Sequence, residues 1–192
     1  MVIGGAVSVA VDAFVTTQIQ HKDYSWQRAG IAFTAGAVGG LVGAAAIVPM
    51  ATAAGASIGA AVGALTIVPA SAVQTITTVA TLVTGSAASA YSNVVISEYR
   101  RIAVGALIDG ENISPDWVAS DLNNHAPIDA AWGTTSYIVG SGVSNAINSN
   151  FLPPSNSSQT FITGVVHGTG IAASNTDLHD FIYQRKMKMM DQ

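Results

Sequence analysis

The sequence contains no cysteine and has few charged residues. Of its 192 residues, 7 are Lys or Arg and 11 are Asp or Glu. Charged residues make up 9% of the chain, against about 25% in an ordinary soluble domain. The absence of cysteine excludes disulfides, cysteine zinc sites and a cysteine nucleophile. The formal net charge of −4 excludes a broad basic surface, so no nucleic-acid partner is expected.

The few charges are unevenly placed along the chain. Between Arg28 and Glu98 lie 69 consecutive residues without Asp, Glu, Lys, Arg or His. A helix in water needs a polar outer face, whereas a run of this length could form three helices that each span a bilayer core. Pro49 and Pro69 each end an Ile-Val-Pro sequence and predict hinges, because proline lacks an amide donor. The predicted segments are 29–48, 50–68 and 70–97.

Glycines recur at a spacing of four within the first two segments, which is the pattern of a glycine zipper. This spacing places small residues on one helix face and lets two helix backbones approach closely. In a water-soluble helix each glycine would cost up to about 1 kcal/mol relative to alanine. We therefore predict membrane-competent helix packing; the alternative is packing within a soluble helical core. The predicted helix-packing residues are Gly36, Gly40, Gly43, Gly55, Gly59 and Gly63.

The segment 70–97 combines apolar residues at helical spacing with an uncharged polar stripe. This pattern predicts a helix with one face toward lipid and the other toward water or other helices. A soluble amphipathic helix is one alternative, and a strand is another because the segment holds five threonines. The predicted pore-facing residues are Gln74, Thr78, Thr81, Gly85 and Ser89. A lining without charge predicts weak selectivity between ions.

The two flanks of the uncharged run differ in character. On the N-terminal side, Asp12 lies among apolar residues and is either solvent-facing on an amphipathic helix or a buried functional carboxylate. On the C-terminal side, prolines and an Asn-Asn pair predict a loop-rich connector over 109–129. Within it, Ser114 followed by Pro115 is typical of a helix start.

These patterns predict an all-α fold in which Gly/Ala-rich apolar helices form a hairpin or bundle, with a loop-rich C-terminal half. Two regions are expected. Residues 1–97 form the membrane-competent helical region, and residues 98–192 form a smaller helical and loop region that either stands apart or packs on the first as one domain.

No catalytic motif is found in the sequence. No H-E-x-x-H or Walker A pattern occurs. The pattern G-x-S-x-G occurs once, at Gly55–Gly59, but it lies inside the uncharged glycine-rich run and does not follow a predicted strand, as a nucleophile elbow would. No metal site and no cofactor are predicted, and the protein is expected not to be an enzyme. An alternative, enzymatic interpretation would use His125, His167 or His179.

Residues 2–46 show a recognisable order of segments. A Gly/Ala-rich apolar helix at 2–20 leads to a polar break that ends in a Trp-basic pair, HKDYSWQRAG, and then to the run IAFTAGAVGGLVGAAA. This order resembles the region near the C-terminus of Rhs-repeat and related polymorphic bacterial toxins, just after the cage-forming repeat core.

The resemblance implies a secreted effector of interbacterial competition, delivered by a secretion system. It also implies an Rhs cage or chaperone before delivery and a cognate immunity protein. Together with the uncharged run, it predicts a pore-forming or depolarising toxin domain that acts on the lipid bilayer of the target-cell inner membrane, alone or as a homo-oligomer. The alternatives are an enzymatic toxin with its chemistry in 98–192, the Gly/Ala region then serving packing or translocation, and a non-toxic structural membrane segment.

Overall fold

The chain is all-α in the computed structural model, which describes residues 2–65 and 67–151 together with Met189. The described residues contain no strand, so the all-α prediction is confirmed and the strand alternative for 70–97 is wrong. The helices are α1 (Val2–Phe14), α2 (Trp26–Val42), α3 (Val48–Gly63), α4 (Ala70–Val104) and α5 (Pro115–Phe151). Three π-helical turns extend or join them, at Val15–Ile19, Gly43–Ile47 and Gly105–Asp109.

α1 and α2 form an antiparallel hairpin around the polar break at 20–25. The chain turns there with His21 in the left-handed region, at a φ of 55°. Ser25 then caps α2, because its side-chain oxygen accepts a hydrogen bond from the Arg28 amide at 3.1 Å. Along the hairpin Gly4 lies against Gly36, so the two helix backbones approach closely.

The segment break predicted at Pro49 is corrected by the structure. α2, the π-helical turn and α3 form one continuous rod, Trp26–Gly63. In the π turn the Val48 amide donates to the Gly43 carbonyl, five residues back. Pro49 follows at once in the first turn of α3, where a missing amide donor is tolerated. A role for Pro49 as a hinge stays a prediction.

At Pro69 the chain does change direction. α3 ends at Gly63, and Pro69 precedes α4 in an extended conformation with a ψ of 145°. The backbone of the turn is hydrogen-bonded within itself: the Leu65 amide donates to the Val62 carbonyl at 3.0 Å, and the Val68 amide donates to the Leu65 carbonyl at 3.1 Å. α3 and α4 consequently form a second antiparallel hairpin.

The loop-rich connector predicted over 109–129 is corrected as well, because α5 begins at Pro115 and only 110–114 lack regular structure. The helix start at Ser114 is confirmed, since its hydroxyl accepts from the Trp117 amide at 3.1 Å. Pro127 lies inside α5 without ending it. Contacts with α4 offset the cost of about 3 kcal/mol for an interior proline.

α4 is the central helix, in contact with α2, α3 and α5. The core around it is small, and it consists of Ala35, Ile47, Ala51, Ile96 and Tyr137. The boundary between the regions 1–97 and 98–192 falls inside α4. The part of the second region that the structure describes therefore packs directly on the first.

Candidate membrane-embedded surface and buried charge network

The bundle has inverted polarity compared with a water-soluble helical protein. In the described part of the chain, buried side chains include nine polar or charged ones, whereas 23 large hydrophobic side chains are exposed. Val83, for example, is 62% exposed and Asp12 is 0% exposed. A soluble protein places these groups the other way round, because apolar surface is unfavourable in water and a buried charge is unfavourable in a protein interior. The exterior therefore fits lipid better than water.

Among the described residues, three helical rods are long and apolar enough to cross a membrane. They are Val2–Ile19, Trp26–Gly63 and Ala70–Asp109. At 1.5 Å per residue the shortest is about 27 Å long, close to the roughly 30 Å of a bilayer core. Their most apolar windows are 33%, 50% and 22% buried. Much of each rod is thus free to contact lipid.

Six hydroxyl side chains on α3 and α4 are hydrogen-bonded to their own helix. Each donates to the carbonyl oxygen four residues earlier, at 2.9 or 3.0 Å, as seen for Thr52, Ser57, Thr75, Thr77, Thr78 and Thr81. A bilayer core offers no water to satisfy polar groups. Because these donors are satisfied within the helix, the threonine-rich surface of the hairpin is compatible with lipid.

Among the predicted helix-packing glycines, those of α2 lie against α1. A Cβ on Gly36 would overlap Ser8 and the carbonyl of Gly4. A Cβ on Gly4 would come within 3.3 Å of Gly40 Cα. Gly43 is buried in the π-helical turn that follows. The close contact of these two helices thus depends on missing side chains on both of them.

The three predicted glycines of α3 face α4 in register. Gly55 lies opposite Thr81, and Gly59 lies opposite Thr77. A Cβ on either glycine would overlap the hydroxyl of its threonine. Gly63 has more room, since the nearest side-chain atom of α4 is 3.6 Å from where its Cβ would lie. The hairpin is therefore tightest in its middle and looser toward its turn.

Helix packing divides the predicted pore-facing stripe of α4. Gln74 and Thr78 are exposed. The rest of the stripe lies at helix contacts: Gly85 is buried against the ring of Tyr137, and Ser89 donates to a backbone carbonyl of α5 at 2.8 Å. A water-filled lining built from this stripe would require the helices to separate or several copies to assemble.

Asp12 is fully buried and pairs with two arginines, so the solvent-facing alternative for this residue is wrong. Arg100 Nη2 lies 2.5 Å from Asp12 Oδ1, and Arg28 Nε lies 3.5 Å from Oδ2. Burial, together with the nearby charge of Asp12, raises the pKa of Tyr24 in the adjoining loop, which keeps its phenol neutral. The pairing joins α1, α2 and α4.

A second network surrounds Arg101, the next residue along α4. Its guanidinium contacts the carboxylates of Asp121 at 2.5 Å, Asp129 at 2.9 Å and Glu98 at 3.0 Å. Removing one partner from a buried ion pair costs about 3–5 kcal/mol, because the other charge is left uncompensated. The two adjacent networks therefore hold α1, α2, α4 and α5 together at one end of the bundle.

A polar cavity of ≈ 380 Å³ opens beside these networks. His125 lines it, with Nδ1 3.1 Å from Asp121 Oδ1. His167 and His179, the other histidines of the enzymatic alternative, lie outside the described residues. Within 2–65, 67–151 and Met189, no group of three or more His, Asp or Glu side chains is placed to hold a metal ion.

Sequence reasoning missed the two arginines that organise these networks. Arg100 and Arg101 directly follow the uncharged run, within the same helix. One signal could have identified them: Asp12 is a lone carboxylate in an apolar helix, and such a charge requires a buried cationic partner elsewhere in the chain.

Comparison with known proteins gives no assignment. The chain matches no family model, no curated protein and no solved structure.

Proposed function

We propose that this chain is a membrane-active domain that inserts into a lipid bilayer and permeabilises or depolarises it. The observation that carries the proposal is the inverted polarity of the bundle. Large apolar side chains face outward along three rods of membrane-spanning length, while Asp12, Arg100 and Asp129 are buried and paired. Ionisable groups in membrane proteins are found facing the bundle interior in this way.

The order of segments in residues 2–46 supports a biological setting for this activity. Its resemblance to polymorphic bacterial toxins favours a secreted effector that acts on the inner membrane of a target cell. An Rhs cage or chaperone would shield the apolar exterior before delivery, and a cognate immunity protein would neutralise the inserted domain. Such shielding is needed because an apolar surface of this extent would aggregate in water.

Conduction would use the polar side of α4. Ser89, Asn93 and Ser97 follow one another along its buried face, where they bond to α5 or lie beside the ion networks. Asn93, for example, donates to the Asp129 carbonyl at 2.7 Å. Separation of α5 from α4, or assembly of several copies, would expose this face to water. Its uncharged part would discriminate weakly between ions.

Ion conductance across planar bilayers tests the proposal directly. Purified protein is expected to produce conductance, and its expression in bacteria is expected to lower the membrane potential reported by a voltage-sensitive dye. Val83→Asp should weaken both effects, because a charge at the centre of a lipid-facing helix costs about 2.5–3.5 kcal/mol. Asn112→Asp, which adds the same charge in the exposed loop 110–114, is the matched control. Absence of both conductance and depolarisation would reject the proposal.

The enzymatic alternative is supported by one feature, the position of His125 in the polar cavity beside Asp121. His125→Ala, and the same change at His167 and His179, would separate the two functions. The enzyme would be favoured if the parent protein is toxic without lowering the membrane potential of the cells and a histidine variant is no longer toxic. Harmless expression of a membrane-inserted parent protein would instead favour a structural membrane segment.

A further inference from the structure

The charged residues of the described chain gather at one end of the bundle. All of them belong to residues 12–28 or 98–129, and the antiparallel hairpins bring these stretches together, as the Arg100–Asp12 pair shows. We call this region the charged end. The opposite end is the turn between α3 and α4, whose described residues 64–65 and 67–69 we call the tip. The tip carries no charge, and two of its apolar side chains are exposed: Leu65 is 55% exposed and Ile67 is 89% exposed.

The uncharged part of the hairpin is longer than a bilayer is thick. On α4 it runs from Ala70 to Ser97, which corresponds to about 42 Å at 1.5 Å per residue. A bilayer core is about 30 Å thick, and transmembrane helices tilt by up to about 40°, which would still leave about 32 Å along the membrane normal. With the charged end at one face of the membrane, the tip therefore reaches the other face.

The tip is also built to pass through lipid. The amides of Ala64, Leu65 and Val68 are hydrogen-bonded within the turn or to the end of α3. At the start of α4, Ala72 and Val73 donate to the Pro69 carbonyl at 2.9 and 3.1 Å. Polar backbone groups that are satisfied internally are a requirement for crossing a bilayer core. If the charged end entered first, its ion networks would have to cross the hydrocarbon core.

Exposed aromatic residues mark the charged end as the interfacial one. Trp26 is 92% exposed and Tyr99 is 52% exposed, and both lie at this end of their helices. No Trp or Tyr occurs between residues 27 and 90. Trp and Tyr are enriched at membrane–water interfaces. Trp26 and Tyr99 therefore fit a boundary at the charged end, whereas the residues 27–90, which include the tip, offer no such side chain.

We propose that the domain enters the bilayer tip first and from one side. In the inserted state the tip lies at the far face, while the loops 20–25 and 110–114 both stay on the side of entry. This inference rests on the proposed function, because it presumes that the bundle inserts into a membrane.

Cysteine accessibility tests this topology, and the cysteine-free chain allows single-cysteine variants without background. Leu65→Cys reports on the tip, and Asn112→Cys is the matched control in the exposed loop. Each variant is added to preformed vesicles of phosphatidylethanolamine and phosphatidylglycerol. The probe is a maleimide on a polyethylene glycol too large for a small pore, placed either outside or inside the vesicles.

The expected result is labelling of Asn112→Cys only from outside and of Leu65→Cys only from inside. Labelling of vesicle-bound Leu65→Cys from outside would overturn the topology. Its labelling only after detergent lysis would do the same, because the tip would then lie within the hydrocarbon. Vesicle flotation and conductance are measured in parallel. Conducting protein with the wrong labelling refutes the topology alone, whereas correct labelling without conductance refutes the permeabilising function alone.

A charge placed on the tip gives a second measurement. Ile67→Lys should lower the rate of vesicle insertion on the order of 100-fold, since lysine at a helix centre costs about 2.5–3.5 kcal/mol in a bilayer. Asn112→Lys carries the same charge on the side of entry and should insert at the parental rate. Equal insertion rates for the two variants would contradict tip-first entry.

Discussion

The contact between α3 and α4 predicts that the same substitution has opposite effects at two glycines of one rod. At Gly59 an added Cβ would overlap Thr77 Oγ1 and lie 3.2 Å from Thr77 Cβ. The threonine cannot easily turn away, because its hydroxyl donates to the Val73 carbonyl at 2.9 Å. At Gly30 an added Cβ would meet nothing within 4 Å. Gly59→Ala should therefore destabilise the bundle, and Gly30→Ala should stabilise it.

The magnitudes follow from two opposing effects. Replacing a helical glycine with alanine favours the helix by about 1 kcal/mol, and this gain applies at both sites. Overpacking a tight contact costs about 1–3 kcal/mol, and this loss applies only at Gly59. We expect Gly59→Ala to lose up to about 2 kcal/mol and Gly30→Ala to gain up to about 1 kcal/mol. Thr77→Ala removes the overlapping hydroxyl, so Gly59→Ala should become less harmful in that background.

The double-mutant cycle compares the parent protein, Gly59→Ala, Thr77→Ala and the double variant. Their unfolding in mixed micelles, followed by far-ultraviolet circular dichroism, gives the free energies of unfolding. A positive coupling of about 1–3 kcal/mol between positions 59 and 77 is expected. The reasoning is refuted if Gly59→Ala stabilises the protein as much as Gly30→Ala does. It is also refuted if the cycle shows no coupling, because α3 and α4 would then not be in contact at positions 59 and 77.

Two further substitutions test the charged end and α5. Asp12→Asn should destabilise the bundle by about 3–5 kcal/mol, because it leaves buried arginine charge uncompensated; Asp116→Asn, at an exposed position, should be close to neutral in the same denaturation assay. Pro127→Ala should stabilise α5 by up to about 3 kcal/mol by restoring an amide donor inside the helix, whereas Pro115→Ala at the helix start should change the unfolding midpoint little. A loss of less than about 1 kcal/mol in the free energy of unfolding for Asp12→Asn would contradict the pairing of Asp12 with the arginines. Equal changes in stability for the two proline substitutions would contradict a continuous α5.

Local rules recovered much of the fold from sequence, and they failed where tertiary contacts outweigh them. The helical class follows from the uncharged run and the four-residue glycine spacing, and the start of α5 follows from the Ser-Pro pair at 114–115. The breaks expected at Pro49 and around Pro127 follow from the same kind of rule, yet both helices continue. At Pro49 a π-helical turn accommodates the ring, and at Pro127 the flanking backbone is held by a side chain of α4.

The buried networks could not be derived from local patterns. Arg100 and Asp12 are 88 residues apart in sequence, and their pairing depends on how two hairpins pack against each other. Single-sequence periodicity gives the face of a helix but not the register between helices. A lone carboxylate in an apolar helix predicts that a partner exists, whereas the identity of that partner requires the packed structure.

One environment explains both unusual features of this chain. In water, a helix rich in glycine and a bundle with apolar side chains outside and charges inside would each be unfavourable. In lipid, apolar side chains gain nothing by leaving the solvent, so helices must associate through close backbone contact and internal polar bonds. The glycines that face Ser8, Thr77 and Thr81 provide the close backbone contact. The ion pairs around Arg100 and Arg101 provide the internal polar bonds. Under the proposed insertion into a membrane the two features act together, so a variant that removes either one should lose stability in lipid-like solvent.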